Sequence, residues 1–281
     1  MKKYLSLLAA LALPSCKETE ITIVTYNVHG LPSDLADTDP EKIKQISPLL
    51  NDYDIILIQE DFVYHQELAQ EAEHPYQEPI SKSELEQSIE EDQLVEIKNG
   101  LSSFSMYPTS NHYPQSWNAC NGIATDSRDC LAPKGFSVGE YEVAPGVKID
   151  IYNCHLDAGS SSGDIAARKG QIQQLAEFIG RRSRYRGVIV ACDTNLELQD
   201  RYDLENLLSI TGLQESCQTL QCPEPELIDR IFYRSSVLVQ IQPLRWYTPE
   251  FVDEKGEPLS DHKPVAVDFK IFLTPPSTNN Q

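Results

Sequence analysis

The strongest constraint in this chain is a recurring pattern: short apolar runs that end abruptly in polar, chemically capable side chains. Thr25-Tyr26-Asn27, Ile58-Gln59-Glu60, Asn153-Cys154-His155 and Ala191-Cys192-Asp193-Thr194-Asn195 each close such a run. Ile228-Asp229-Arg230-Ile231 and Ser260-Asp261-His262 belong with them. Runs dominated by Ile, Val and Leu are the mark of strands covered on both faces. On this criterion 21–27, 55–60, 147–155, 187–193, 228–233, 237–244 and 264–272 read as strands. Residues 164–180 read as a helix, with Ile165, Ile172, Leu175, Ala176 and Ile179 on one face. In α/β sheets, ligands sit outside the carboxyl ends of strands, where several ends converge. One polar strand end is an ordinary turn or cap, whereas six in one chain point to a site.

The residue types suit metal-assisted hydrolysis of a phosphate ester. A hard oxygen donor such as Glu60 selects Mg²⁺ or a similar ion, which takes phosphate oxygens as further ligands. A histidine beside a carboxylate, as in Asp261-His262, can be oriented and tuned toward general-base work. Asparagine amides hydrogen-bond phosphate oxygens without adding charge. Charge bears on the substrate: 43 acids against 23 bases leave a net charge of −20. That balance argues against a sequence-independent binder of DNA or anionic lipid. It leaves room for an enzyme that holds one phosphate on a metal ion, because the ion supplies the local positive charge.

Lys2 and Lys3 precede an apolar stretch over 4–13, and Pro14-Ser15-Cys16 closes it. This reads as a secretory signal over 1–15, too short to span a membrane. Leu13-Pro14-Ser15-Cys16 resembles a bacterial lipobox, in which Cys16 becomes the lipidated first residue. The expectation is an exported protein, a cell-envelope lipoprotein or a secreted one. Removing 1–15 deletes two lysines and no acids, which moves the charge from −20 to −22. A short tether over 16–20, one catalytic domain over 21–273 and a frayed tail over 274–281 complete the organisation. Without Cys16 the cysteines number six, as expected of an oxidising compartment. Cys120 with Cys130, and Cys217 with Cys222, read as local staples. Cys154 and Cys192 lie inside apolar strands, where buried unpaired thiols are expected. No spacing resembles a zinc site.

The ordered set TYNVHG (25–30), IQED (58–61), NCHLDAG (153–159), ACDTN (191–195), IDRIF (228–232) and SDHKPV (260–265) resembles the endonuclease/exonuclease/phosphatase superfamily. The resemblance implies a four-layered α/β sandwich, two packed mixed β-sheets flanked by helices, as in deoxyribonucleases. It makes Glu60 the principal metal ligand, with Asn27 beside it. It makes His262 the group that activates water, with Asp261 in the same box. Asp193 and Asn195 would position the water and the phosphate. His155 would bind the phosphate in the transition state or assist the leaving group, and Asp229 would support a histidine. Which histidine is base and which is acid differs among branches.

Asn27-Val28-His29-Gly30-Leu31-Pro32, 60–65, Lys134-Gly135-Phe136, and His155 followed by Ser160-Ser161-Ser162 and Arg168 are most similar to the neutral sphingomyelinase group. That resemblance implies a Mg²⁺-dependent phosphodiesterase (Mn²⁺ or Co²⁺ substituting) that acts as a monomer on a phospholipid membrane surface and releases a phospho-headgroup. The rival is a secreted nuclease with the same site. It is disfavoured because no set of early-loop arginines is evident for gripping a DNA groove, and a binding module that kept only the scaffold is disfavoured further.

Other features carry smaller expectations. Asp157 reads as a turn former rather than a helper at the metal site. Arg168, on the apolar stripe of its helix, should pair with a carboxylate. Trp246, Tyr247 and Phe251 occupy the place of a membrane-touching excursion in bacterial sphingomyelinases, with packing beneath a loop as the alternative. Arg181, Arg182, Arg184 and Arg186 should lie at the end of the sheet opposite the chemistry. Residues 71–96 hold nine acids and one base, and are expected to hang near the cleft and repel polyanions.

Overall fold

A computed structural model describes residues 18–32, 38–77, 99–122, 129–130 and 134–274. Two six-stranded sheets form its centre. The first runs β11 (Val239–Tyr247), β12 (Val265–Leu273), β1 (Glu18–Gly30), β2 (Ile55–Asp61), β4 (Ser102–Ser105), β3 (Tyr76–Gln77). The second runs β5 (Thr109–Ser116), β6 (Gly135–Ala144), β7 (Val147–His155), β8 (Val188–Asp193), β10 (Asp229–Arg234), β9 (Gln214–Glu215). Each sheet has one parallel pair at its centre, β1 with β2 and β7 with β8, flanked by antiparallel strands. The expected mixed sandwich is the observed one.

The near-continuous apolar runs are explained by three cores. Side chains alternate across a strand, so Ile21 and Ile23 of β1 and Ile55 and Leu57 of β2 face between the sheets. There they meet Ile149, Ile151, Ile189, Ile231, Val265 and Phe269. The intervening Val24, Tyr26, Ile56 and Ile58 face outward and are covered by Ile43 and Ile46 of α1 (Pro40–Leu49). On the far side, Val138, Tyr152 and Val190 pack under Ile172, Leu175 and Ile179 of α3 (Ser162–Arg182). The short α2 (His65–Ala69), α4 (Arg201–Thr211) and α5 (Ser216–Leu220) complete the helical layers. The α3 start is a capping box between Ser161 and Asp164, and Arg181 and Arg182 close its last turn against the dipole.

A polar bridge joins the sheets behind the site. Gln59 Nε2 donates to Asn153 Oδ1 at 2.7 Å, and Asn153 Nδ2 donates to the Ile58 and Ser102 carbonyls at 2.8 and 3.0 Å. These polar strand-end residues are buried and satisfied, and so hold the two sheets in register.

Three disulfides are present. Cys120–Cys130 and Cys217–Cys222 are the expected local staples. Cys154 and Cys192 also form a disulfide, which corrects the expectation of unpaired thiols. The reason is register: β7 and β8 are adjacent parallel strands, and Cys154 sits directly opposite Cys192. The next pair along the same ladder is His155 and Asp193. The bridge closes 38 residues, against five for Cys217–Cys222. Loop-closure entropy gives about 4 kcal/mol for the first and about 2 for the second. Guanidinium unfolding of Cys154→Ala/Cys192→Ala should show the larger loss. Equal losses would refute the entropic account.

Among the described residues no helix is long and apolar enough to cross a membrane. The signal segment, Cys16, most of the acidic stretch (78–98) and the tail beyond 274 lie outside the described residues.

Candidate active site

The carboxyl ends of both central parallel pairs open at one edge of the sandwich. β1 delivers Asn27 and His29, β2 delivers Glu60, β7 delivers His155, and β8 delivers Asp193 with Asn195 just beyond. β10 runs antiparallel to β8, so its first residue, Asp229, pairs with the last, Asp193. The loop before β12 adds Ser260, Asp261 and His262, and Ser260 Oγ ties it down by donating to the Asn27 carbonyl at 2.8 Å. Every residue expected at the site is therefore brought to the same edge.

Asp193 is the hub. Its Oδ2 accepts from Asn27 Nδ2 at 2.9 Å, lies 3.2 Å from His155 Nε2 and 3.9 Å from His262 Nε2. Its Oδ1 accepts the Asn195 backbone N–H at 3.1 Å. His262 Nδ1 meets Asp229 Oδ2 at 2.7 Å, so Asp229 orients this ring. The neighbouring Asp261 does not: its carboxylate is 62% exposed and turns toward His29, 3.5 Å away. Asn195 Nδ2 donates to the Leu156 carbonyl, which also accepts from Lys134 Nζ.

Five described non-glycine residues are held in the left-handed region, and three of them are at this edge: His29 (φ 51°), Glu60 (φ 58°) and Asn195 (φ 47°). Such conformations cost of order 1–3 kcal/mol each and cluster at functional sites. Gly30 lets the end of β1 press onto β2, since a Cβ there would stand 2.6 Å from the Glu60 carbonyl oxygen. Beyond Glu60 the strand is anchored by Asp61, whose Oδ2 accepts from Ser102 Oγ and pairs with His65 Nδ1.

The electrostatics follow from burial and crowding. Burial alone would raise the Asp193 carboxyl, but His155, with His262 and Lys134 behind it, holds the group well below the usual carboxylate range. Burial, then the charge of Asp193, pushes Asp229 up to about 6 against the pull of His262. Burial alone would lower His262; its hydrogen bond to Asp229 and the charges of Asp229, Asp193 and Asp261 push it up to about 10. The carboxylates around His262 thus favour its protonated form.

The residues present fit a divalent cation. Glu60 Oε2 is buried with no hydrogen-bond partner, and its Oε1 lies 3.9 Å from His155 Nε2. A buried carboxylate oxygen without a donor is costly unless an ion completes it. Asn27 Oδ1 accepts the His29 backbone N–H at 3.0 Å, which leaves a lone pair for an ion. Asp193, Asp229 and His262 also offer donor atoms within 4.8 Å of one another. There His262 already spends Nδ1 on Asp229, while Asp229 Oδ1, like Glu60 Oε2, is buried without a hydrogen-bond partner.

The peripheral features resolve clearly. Arg168 Nη1 donates to the carbonyls of Asp157, Ala158 and Gly159, and Nη2 lies 3.6 Å from Asp200, so this cation fastens the loop after His155. Asp157 accepts from Asn121 N and Gln171 Nε2, as a loop organiser. Trp246 is buried between the sheets, and Phe251 packs edge-on against Tyr26 at 5.2 Å. They form core rather than a membrane-touching tip. Arg186 pairs with Asp150 and Glu140 at the opposite end of the sheet, as expected. Lys134 was legible only as part of a motif. The structure makes it a buried cation, 2.7 Å from Asp129, whose charge reaches Asp193.

No family model matches the chain. Among curated proteins, the sphingomyelinases of Mycobacterium tuberculosis and Mycobacterium bovis are 31% identical over 270 residues, or 89% of this chain and 52% of theirs. The chain is their homologue over most of its own length and spans about half of theirs. Solved structures share its fold. A Staphylococcus aureus beta toxin with bound magnesium ions superposes with a TM-score of 0.64 at 18% identity, covering 89% of this chain and 99% of that one. D. rerio TDP2, complexed with a single-strand DNA product, gives 0.66 at 17% identity over 89% and 99%. An endonuclease/exonuclease/phosphatase from Bacteroides vulgatus gives 0.65 at 16% over 89% and 98%.

Proposed function

We propose that this chain, a sphingomyelinase homologue with the endonuclease/exonuclease/phosphatase fold, is a divalent-metal-dependent phosphodiesterase that cleaves a phospholipid and releases its phospho-headgroup. The observation that carries this reading is the convergence of Asn27, His155 and His262 on Asp193, beside a buried Glu60 oxygen that lacks a hydrogen-bond partner. A metal ion bound at Glu60 and Asn27 supplies positive charge against the phosphate oxygens and against the carboxylates that crowd His262.

The chain's own residues then divide the work. His262, held by Asp229, takes the proton of the attacking water once its surplus proton has left. Asp193 and Asn195 aim that water and the phosphate. His155, with Nε2 toward Asp193 and Glu60, donates to a phosphoryl oxygen as charge builds there. The proton needed by the departing alkoxide comes from one of the same two imidazoles. Cys16 as a lipid anchor, and action by a monomer at a membrane face, complete the proposal. The three disulfides favour an exported protein.

A nuclease would use the same site, and the net charge of −20 disfavours it because a long polyanion must approach the whole surface. Turnover of sphingomyelin vesicles and of plasmid DNA, each with Mg²⁺ and with EDTA, separates the two. Headgroup release that EDTA abolishes is expected. DNA degraded with sphingomyelin inert would overturn the lipid assignment.

A further inference from the structure

Among the described residues, the large apolar side chains most open to solvent fall in two places. Leu198 and Tyr202 follow Asn195, beside the catalytic edge. Val237 (85% exposed), Leu238 (69%) and Tyr185 (77%) lie at the opposite end of the sandwich. Val237 and Leu238 belong to the turn between β10 and β11, where the Leu238 carbonyl accepts the Thr274 N–H at 2.9 Å, just past β12. Tyr185 belongs to the loop between α3 and β8. That loop is fastened to the same end: Arg234 Nη2, at the close of β10, donates to the Ser183 carbonyl at 2.7 Å. The Arg184 guanidinium lies 5.3 Å from the centre of the Tyr185 ring, and Arg181 and Arg182 occupy the last turn of α3 beside it. β1 begins at this end too, because Glu18 pairs with Phe272, and the next residue of β12, Leu273, pairs with Val239. Cys16 stands two residues before Glu18 in the chain, a reach of at most about 7 Å. Asn27 is nine residues beyond Glu18, about 30 Å along the strand.

We propose that the Val237-Leu238 turn and the Arg184-Tyr185 loop form a seat on the lipid layer that holds the Cys16 anchor, so that the catalytic edge stands about 30 Å from that layer and acts on lipid presented by a second surface. The inference rests on the reading of Cys16 as a lipid anchor and adds the orientation that reading lacks. The anchor supplies the binding, and the seat fixes the angle. Two bare aliphatic side chains suit the acyl boundary, and a tyrosine under a guanidinium suits the headgroup level. The arginines meet anionic headgroups locally in a chain whose net charge is −20. So short a tether permits tipping but little separation. The competing arrangement is a tipped domain whose catalytic edge rests on its own layer through Leu198 and Tyr202.

The test uses the full chain, processed at Cys16 and reconstituted in vesicles of phosphatidylethanolamine and phosphatidylglycerol with brominated acyl chains. Val237→Trp and Leu198→Trp are compared with the unsubstituted chain. The fluorescence added at 237 should be quenched twofold or more by the brominated lipid, and that added at 198 should be unchanged. Any other pattern would overturn the orientation, and an intact mass without acyl chains at Cys16 would overturn it at its premise. At equal total sphingomyelin, substrate in separate vesicles should be cleaved tenfold or more faster than substrate in the anchoring vesicles. The reverse ratio would overturn the proposal. No cleavage in either arrangement, with the quenching pattern as expected, would remove the lipid substrate and uphold the orientation, so the two readings fail separately.

Discussion

Glu60→Gln is expected to lower phosphodiester turnover a hundredfold or more, about 3 kcal/mol of barrier, while leaving the fold intact. The replacement keeps the shape and removes the charge. Its Oε2 has no hydrogen-bond partner to lose, so the fold does not depend on the carboxylate. In the metal-free protein the variant should even unfold at slightly higher denaturant, because a carboxylate oxygen buried without a hydrogen-bond donor has been removed. Activity and stability should therefore move in opposite directions. Raising the divalent ion concentration should restore part of the lost rate, since an amide oxygen remains a weak ligand. Kinetics across a metal titration, paired with guanidinium unfolding, would read both effects. A variant with full turnover and unaltered metal affinity would remove Glu60 from the centre of the site.

Much of this arrangement was legible because the fold writes it along the chain. β1, β2, β7 and β8 are covered on both faces, so their apolar runs are unbroken and their polar ends stand out. α3 was legible to within two residues at each end for the same reason: a clean apolar stripe and a capping box. β5 escaped notice because it is an edge strand, with nearly every side chain in solvent and a proline at 114. β6 escaped because its only strong cue is alternation, interrupted by Gly139. Cys154 and Cys192 were legible as strand residues but not as a bridge, because pairing depends on the register of two strands 38 residues apart. The same limit hid the 3.6 Å approach of His29 Nδ1 to Glu60 Oε2. A histidine after Asn-Val in the chain says nothing of Glu60 until β1 and β2 lie side by side and both backbones turn left-handed. Asp229 and Asp261 show the opposite error that sequence adjacency invites. Asp261 adjoins His262 in the chain, yet the ring is oriented by Asp229, 33 residues earlier.

His262→Ala is expected to cost a hundredfold or more in turnover, and Asp229→Asn tests how that imidazole is tuned. In the ligand-free protein His262 is pushed up to about 10, above its ordinary 6.5. A raised folded-state value means the protonated ring stabilises the fold fully below about pH 6.5, and this contribution is lost as pH rises toward 10. Asp229, raised to about 6 from 3.8, loses stability between about pH 4 and 6 for the same reason of sign. Both contributions therefore fall with rising pH. Asp229→Asn erases the second and shrinks the first, so the metal-free variant should show the flatter stability profile from pH 4 to 10. NMR titration should place the variant's His262 well below the wild-type value. In turnover, the acidic limb of the pH–rate profile should move to lower pH, because a less basic imidazole loses its proton sooner. The maximal rate should fall at the same time, because the ring has lost the acceptor that held Nδ1 and turned Nε2 toward Asp193. A merely structural Asp229 would lower the rate without moving that limb. An unmoved limb would leave His262 oriented by something other than the 2.7 Å contact that defines this edge of the site.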